Sequence, residues 1–431
     1  MGQCRISLPA PPRSEYEFPP EFVRSGRYLV RGAGSQLVGV DLHAARVAWE
    51  TKGGPGWPGT DGTMWGGADE ACVAVLTRGG GGLRVRGVAA SSGDEFWKTR
   101  CTPTDTTELW SRCLRGGPVG VEYGACLLQR QDMLALAVTS NPTRTEQTET
   151  GALTTHLSSG RPLIEVTRLD PANGKQLWRT EPARAACDGV SVPTRWDGLV
   201  FRDGALASLD WATGEWTPLT EADGPPNALA RSGTIVGAVW LRRGGMRLAA
   251  MDSRDGCVRR SQHQERGIRS VAAYPVGAGD FLLAINSRTV ALMNAAAEVR
   301  WRARIGAYVY RAFGSPGSPV FVDTAGAGAA LYAFDRGTGA VLIHERSALG
   351  GGGDLTRVEG TDLLAVSLSS RKSHAAGGLV VVGVDGTGLR RLDVSSGIVG
   401  SHRGSVITRA EMDRDGWPLS DDVVVTALAE G

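Results

Sequence analysis

The chain has 431 residues, of which 60 are glycine, 42% hydrophobic and 21% charged, a composition that supports a buried core and excludes wholesale disorder. Its 47 basic and 45 acidic residues leave a formal charge of +2, which gives no electrostatic footprint for nucleic acid or an anionic membrane. The longest apolar runs, such as Leu379–Val384, fall far short of the ~20 residues needed to cross a bilayer, so no membrane span is expected.

Residues 1–17 read as a Pro-rich leader that runs along the outside of the fold. They hold no apolar signal segment, which places the protein in the cytoplasm unless a leader has been removed before export. The seven cysteines form no CxxC pair and the six histidines form no ligand cluster, so neither a disulfide framework nor a metal site is assigned. Only four of the basic residues are lysine; the arginines read as scattered, as a GC-rich bacterial genome would produce.

From residue 18 onward a repeat governs the chain. Its unit is a short apolar run ending in Asp, four residues to Gly, then four more to Trp. In chain order the Asp position falls at Asp41, Ala89, Asp170, Asp210, Asp252, Asn294, Asp335 and Asp385. The steps are 48, 81, 40, 42, 42, 41 and 50 residues, and the long one holds a polar insertion, about 139–160, read as a disordered or extruded surface loop. Alternating runs punctuated by Gly, Asp or Asn precede each motif, which makes every unit a four-stranded antiparallel meander. Asp is expected to cap its turn, Gly to supply a positive φ, and Trp to anchor the outer strand against the neighbouring unit. A final strand, about 423–428, is expected to close the fold by pairing with the first unit.

The copy Leu169–Trp178 (LDPANGKQLW) resembles most closely the tryptophan-docking repeat of pyrroloquinoline-quinone-type propellers. The resemblance spans about residues 18–394 and implies one all-β domain, 18–431, folded as an eight-bladed quinoprotein-like propeller, with seven blades as the alternative. Within that family some members are dehydrogenases holding quinone and calcium on the axis, and others are cofactor-free scaffolds. The chain has no Cys-Cys dipeptide and no acidic cluster suited to calcium, so no cofactor is assigned.

In a propeller the residues entering each inner strand rim an axial funnel. That places Asp61, Trp65, Glu122, Tyr123, Asp188, Arg195, Arg269, Tyr308, Tyr310, Arg311 and Arg357 near one mouth. The first functional reading is a binding or scaffold protein that takes a small molecule or protein partner there. The alternative is a cofactor-independent enzyme of specialised metabolism, with Glu122 and Tyr123 as acid or base and Arg269 stabilising negative charge. A quinone-dependent dehydrogenase is the third reading. Oligomeric state is left open.

Overall fold

The fold was analysed in a computed structural model, which describes residues 3–9, 21–33, 36–52, 64–67, 71–79, 82–113, 120–128, 133–148, 151–156, 161–186, 196, 198–202, 205–221, 226–254, 257–264, 267–326, 330–346, 350–351, 355–370, 378–385, 388, 390–392, 398–409 and 422–428. The chain divides into two compact units, Pro9–Pro218 and Met1–Leu8 with Leu219–Gly431.

Both units are built from four-stranded antiparallel meanders. In the first unit, the first sheet comprises Glu21–Ser25, Tyr28–Ala33, Gln36–Asp41 and Arg46–Lys52, and the second Met64–Gly66, Cys72–Gly79, Gly82–Ala89 and Glu95–Cys101. The third comprises Gly120–Leu127, Leu134–Thr148, Leu163–Leu169 and Gln176–Arg179. The fourth, Ala183–Ala185, Leu199–Arg202, Ala205–Leu209 and Trp216–Glu221, joins the third through Leu163–Arg184 and Ile164–Ala183 pairing.

In the second unit, Ala228–Ser232, Ile235–Arg242, Gly245–Asp252 and Val258–Gln264 form the fifth sheet. Val271–Pro275, Phe281–Ile285, Thr289–Met293 and Val299–Arg304 form the sixth, and Tyr308–Phe313, Val320–Ala325, Ala330–Phe334 and Val341–Arg346 the seventh. The eighth contains Leu355–Arg357, Leu363–Ser370, Gly378–Gly383 and Arg390–Leu392, with Gly350–Gly351 beside its second strand. These eight sheets carry the eight motif copies in order.

Middle strands such as Phe281–Ile285 and Ala330–Phe334 are apolar along their whole length, because both of their faces are covered. Outer strands alternate between buried and exposed positions, as Val299–Arg304 does with Trp301 buried between Arg300 and Arg302.

The motif residues do the mechanical work expected of them. Asp41, Asp170, Asp210, Asp252 and Asp335 each accept a backbone N–H two residues on, at 2.8–3.1 Å, and Asn294 does so from Ala296 at 2.9 Å. Trp49, Trp97, Trp178 and Trp301 then cross to the following unit. The Trp49 indole N–H donates to the Ala90 carbonyl at 2.7 Å, Trp97 to Pro171 at 2.8 Å and Trp301 to Arg336 at 2.9 Å. The rings lie on Gly93, Gly174 and Gly339, whose φ angles of +80, +70 and +73 favour glycine, and where a Cβ would stand 2.4–2.6 Å from indole carbon. Trp178 covers Gly214 in the same manner, but the matching carbonyl, Trp211, accepts Arg168 Nη1 at 3.1 Å.

Two expectations are corrected. The insertion is regular: Leu134–Thr148 continues past its sheet and pairs with Gly151–His156 in register from Thr143–His156 to Thr148–Gly151. A hairpin satisfies its own backbone, so it needs no hydrophobic period, and the β-branched Thr145, Thr148, Thr154 and Thr155 suit it. The closing strand also has a different partner. Val423–Ala427 lies between Ser405–Arg409 and the chain's own beginning, Gln3–Ile6, in a ninth sheet completed by Ile398–His402. Residues 3–6 thus leave the supposed leader and enter a sheet, where Ile6 is buried and Arg5 Nε meets Asp422 Oδ2 at 2.6 Å. The Glu21–Ser25 edge is too close to Pro19 and Pro20 to extend in regular pairing, whereas QCRI offers an uninterrupted donor row.

Replacing Trp97 by Ala removes a nearly buried indole and its inter-unit hydrogen bond, and should cost about 3–5 kcal/mol in urea unfolding. The turn carboxylates should make the fold acid-sensitive. Hydrogen bonds from the Arg254 side chain and backbone hold Asp252 at about 2, below its ordinary 3.8, and the Thr338 hydroxyl and N–H lower Asp335 likewise. At Asp41 burial acts upward, yet the Ala44 and His43 N–H groups and Arg27 outweigh it. Because these acids are lowered in the folded state, their contribution is complete above the unfolded value and fades as pH falls toward 2. Thermal melts at successive pH values should therefore show Tm falling over that window, and less steeply in Asp252→Asn.

Candidate functional site

The expected rim residues fall into three groups. Asp61, Asp188 and Arg195 lie outside the described residues. Several others are structural. Trp65, on the first strand of the second sheet, is 2% exposed and packs with Leu127, Leu134 and Leu136, so it belongs to the core and is not displayed at a mouth. Tyr123 accepts the Thr106 N–H at 3.4 Å and donates to the Thr104 carbonyl at 3.3 Å, tying its strand to the segment before the helix Thr107–Cys113. Its neighbour Glu122 is exposed, opposite Asn141 in the register, and therefore points away from Tyr123 across the sheet. The pair does not assemble as joint acid and base. Arg269 is exposed, just ahead of the sixth sheet, and its backbone N–H is fixed by Asn286 Oδ1 at 2.7 Å.

A third group is displayed, on the first strand of the seventh sheet. Tyr308 and Tyr310 are 51% and 49% exposed, while Val309 between them is buried. The register slips between Val309 and Arg311, which makes Tyr310 the extra residue of a β-bulge. The Arg311 guanidinium sits 4.8 Å from the Tyr310 ring centroid, a cation–π contact. Its Nε also lies 3.8 Å from Oδ2 of Asp323, a buried carboxylate on the adjoining strand. Tyr274, on the sixth sheet, supports this strand by donating to the Val309 carbonyl at 3.2 Å, and burial pushes its phenol upward. Asp323 was not anticipated, although one signal exists: a lone carboxylate inside the apolar run VFVDTA.

Arg357 is found elsewhere. It ends its strand opposite Leu364, so it lies at the turn end of the eighth sheet, away from the strand's start. There a cleft of about 1040 Å³ is lined by Ser315, Arg357, Asp362, Leu363, Arg390 and Leu428, among others. Arg357 pairs with Asp362 at 3.3 Å. The lining of the cleft is mixed, with Arg357 and Arg390 beside the carboxylates of Asp362 and Asp385 and the side chains of Leu363, Leu392 and Leu428.

The calcium ion implied by the resemblance does not fit the donors among the described residues. Among the described residues no three His, Cys, Asp or Glu side chains converge in a way that could hold a metal ion. Calcium needs six to eight oxygens, and the turn carboxylates are engaged by backbone N–H groups, while Asp280 pairs with Arg336 Nη1 at 2.8 Å.

A family model described as outer membrane protein assembly factor BamB matches residues 164–343. Over that span, which is less than half of the chain, the repeat is similar to that of the quinoprotein-like propellers. The matched span runs from the third sheet to the seventh, and so includes the Trp178–Gly214 and Trp301–Gly339 contacts. Among solved structures, BamB from Moraxella catarrhalis is 13% identical over 95% of this chain and 96% of its own, with a TM-score of 0.44. A europium-containing methanol dehydrogenase is 10% identical over 96% and 92%, with a TM-score of 0.41, and Raptor from Chaetomium thermophilum 11% over 87% and 29%, at 0.40. Such distant likenesses carry no argument about function. No curated protein matches the chain in sequence. Among the described residues no helix is long and apolar enough to cross a membrane.

Tyr310→Ala should leave stability within about 0.5 kcal/mol of wild type, as surface changes do. Arg311→Met, which removes a guanidinium 3.8 Å from the buried Asp323 carboxylate, should cost about 1–3 kcal/mol. Chemical denaturation of both variants separates a displayed ring from a structural ion pair.

Proposed function

We propose that the protein is a binding or scaffold protein whose recognition surface is centred on Tyr308, Tyr310 and Arg311. The observation that carries this reading is the half-exposed tyrosine pair on a strand whose other residues pack or pair. Leaving two large rings in water is unfavourable unless something covers them. Tyrosine and arginine are the residues that most often anchor interfaces, since a ring gives large contact area with few rotors to freeze. The bulge sets Tyr310 out of the pleat, and Asp323 holds Arg311 in one place, so the surface is organised before a partner arrives. Partner and ligand remain of one chemical kind in this reading: a group with an aromatic-stacking face or an acid for Arg311. The axial funnel expected from the repeat would place Arg269 at the same mouth.

The test compares wild type with Tyr308→Ala/Tyr310→Ala, immobilised at equal density and exposed to extract of the source cells. The reading expects a protein or small molecule, identified by mass spectrometry, that wild type retains and the folded double variant loses. Equal retention by both, with matching Tm, would show that these rings are not the recognition surface.

A further inference from the structure

The arginines are not scattered. Between residues 242 and 304 twelve arginines meet five acidic residues, a net charge of +7, so the remaining residues of a chain with +2 overall carry −5. This segment forms most of the fifth sheet and all of the sixth.

The register shows which way the exposed arginines face. On the outer strand of the fifth sheet, Arg259, Ser261 and His263 lie opposite Ala250, Leu248 and Met246, which pack in the cluster shared with Phe281, Leu283 and Met293 of the sixth sheet. The Ser261 hydroxyl donates to the Ala297 carbonyl of the sixth sheet, which confirms that face. On the outer strand of the sixth sheet, Trp301 and Ala303 turn toward the seventh-sheet cluster, and the alternate residues Arg302 and Arg304 turn back toward the fifth. Arg259 and His263 therefore form one wall of a valley, and Arg302 and Arg304 the other. Arg288 stands exposed at its end, where its carbonyl accepts the Ile305 N–H.

We propose that this valley docks an extended acidic segment of a partner protein, added as a strand to the open edge Val299–Arg304. That edge pairs on one side only among the described residues, and an unpaired row of N–H and C=O groups is a template for another strand. Arg302 and Arg304, two positions apart, project to one face at about 6.6 Å intervals, the spacing of carboxylates at alternate positions of an added strand. The guanidinium fork matches carboxylate geometry in a way an ammonium does not. Two other polyanions fit less well. Single-stranded nucleic acid is held by exposed aromatic platforms, and a membrane surface by exposed apolar side chains. The exposed large hydrophobic residues among the described ones are Phe96, Leu109, Leu177, Tyr308, Tyr310, Val341 and Leu342, none of them on either outer strand of this valley.

The experiment uses the full chain and a fluorescent decapeptide of alternating Glu and Thr, followed by anisotropy at about 50 mM salt, where charge pairs are only partly screened. Arg302→Glu/Arg304→Glu should weaken binding at least about tenfold, an effect of about 1.4 kcal/mol. Lys98→Glu/Arg100→Glu, the same charge change on the outer strand of the second sheet, should leave it unchanged, and both variants should melt with wild type. A peptide of equal charge with proline replacing threonine cannot join the ladder and should bind weakly. The proposal is overturned by no binding at this salt, by equal loss in both variants, or by equal binding of the proline peptide. Tighter binding of oligothymidylate or of anionic vesicles than of the peptide, lost in the first variant, would overturn it in favour of those partners.

Discussion

The interaction on which the structure depends is the seat of a tryptophan on the glycine turn of the following unit. Trp49, Trp97, Trp178 and Trp301 each lie flat on a residue that has no side chain, and three of them also donate to a carbonyl beside it. The glycine is required twice, once for its positive φ and once because a methyl group would occupy the place of the ring. Burial of an indole and satisfaction of its N–H occur in one step, which removes the usual penalty for placing that group in an interior. In these four cases the coupling runs in one direction, from an outer strand to the next turn, so stability is passed between neighbours.

The fourth sheet shows what happens when the spacing changes. Its tryptophan, Trp216, arrives two residues early and packs edge-on to Trp196 at 6.2 Å, with Trp211 also against Trp196 at 6.1 Å. The ring is thus spent in the cluster that the third and fourth sheets share, with Ile164, Val166, Val200, Ala207 and Leu209. The same strand, Trp216–Glu221, contains the point where the chain passes from one compact unit to the other. A shift of two residues after Gly214 accounts for the different fate of the ring; the turn itself, capped by Asp210, is unaltered.

How much of this was legible follows from what each feature depends on. The sheets and their turns depend on local spacing, and so Asp41, Gly174 and Trp97 announced their roles in the sequence. The hairpin over the insertion was missed because its pairing is satisfied by its own backbone and leaves no apolar period. The ninth sheet was missed because it has no Asp–Gly–Trp copy and takes its outer strand from a four-residue segment at the far end of the chain. The rim residues were the least legible. Strand position can be counted, but whether Trp65 turns inward or Tyr310 outward depends on a bulge and on neighbouring sheets that one strand does not encode. The arginine valley was hidden by a different effect: total charge averages over units, whereas alternation on two adjacent edges concentrates it.

The ninth sheet sets an order for folding. Gln3–Ile6 pairs with Val423–Thr426, so this contact closes a loop of more than four hundred residues. Each local meander joins its strands through short turns, and its contacts form at small cost in loop-closure entropy. The ninth sheet has to overcome the largest such cost, so its outer pairing forms late. Until then Val423–Ala427 presents an open row of N–H and C=O groups, and Gln3–Ile6 is the segment that covers it.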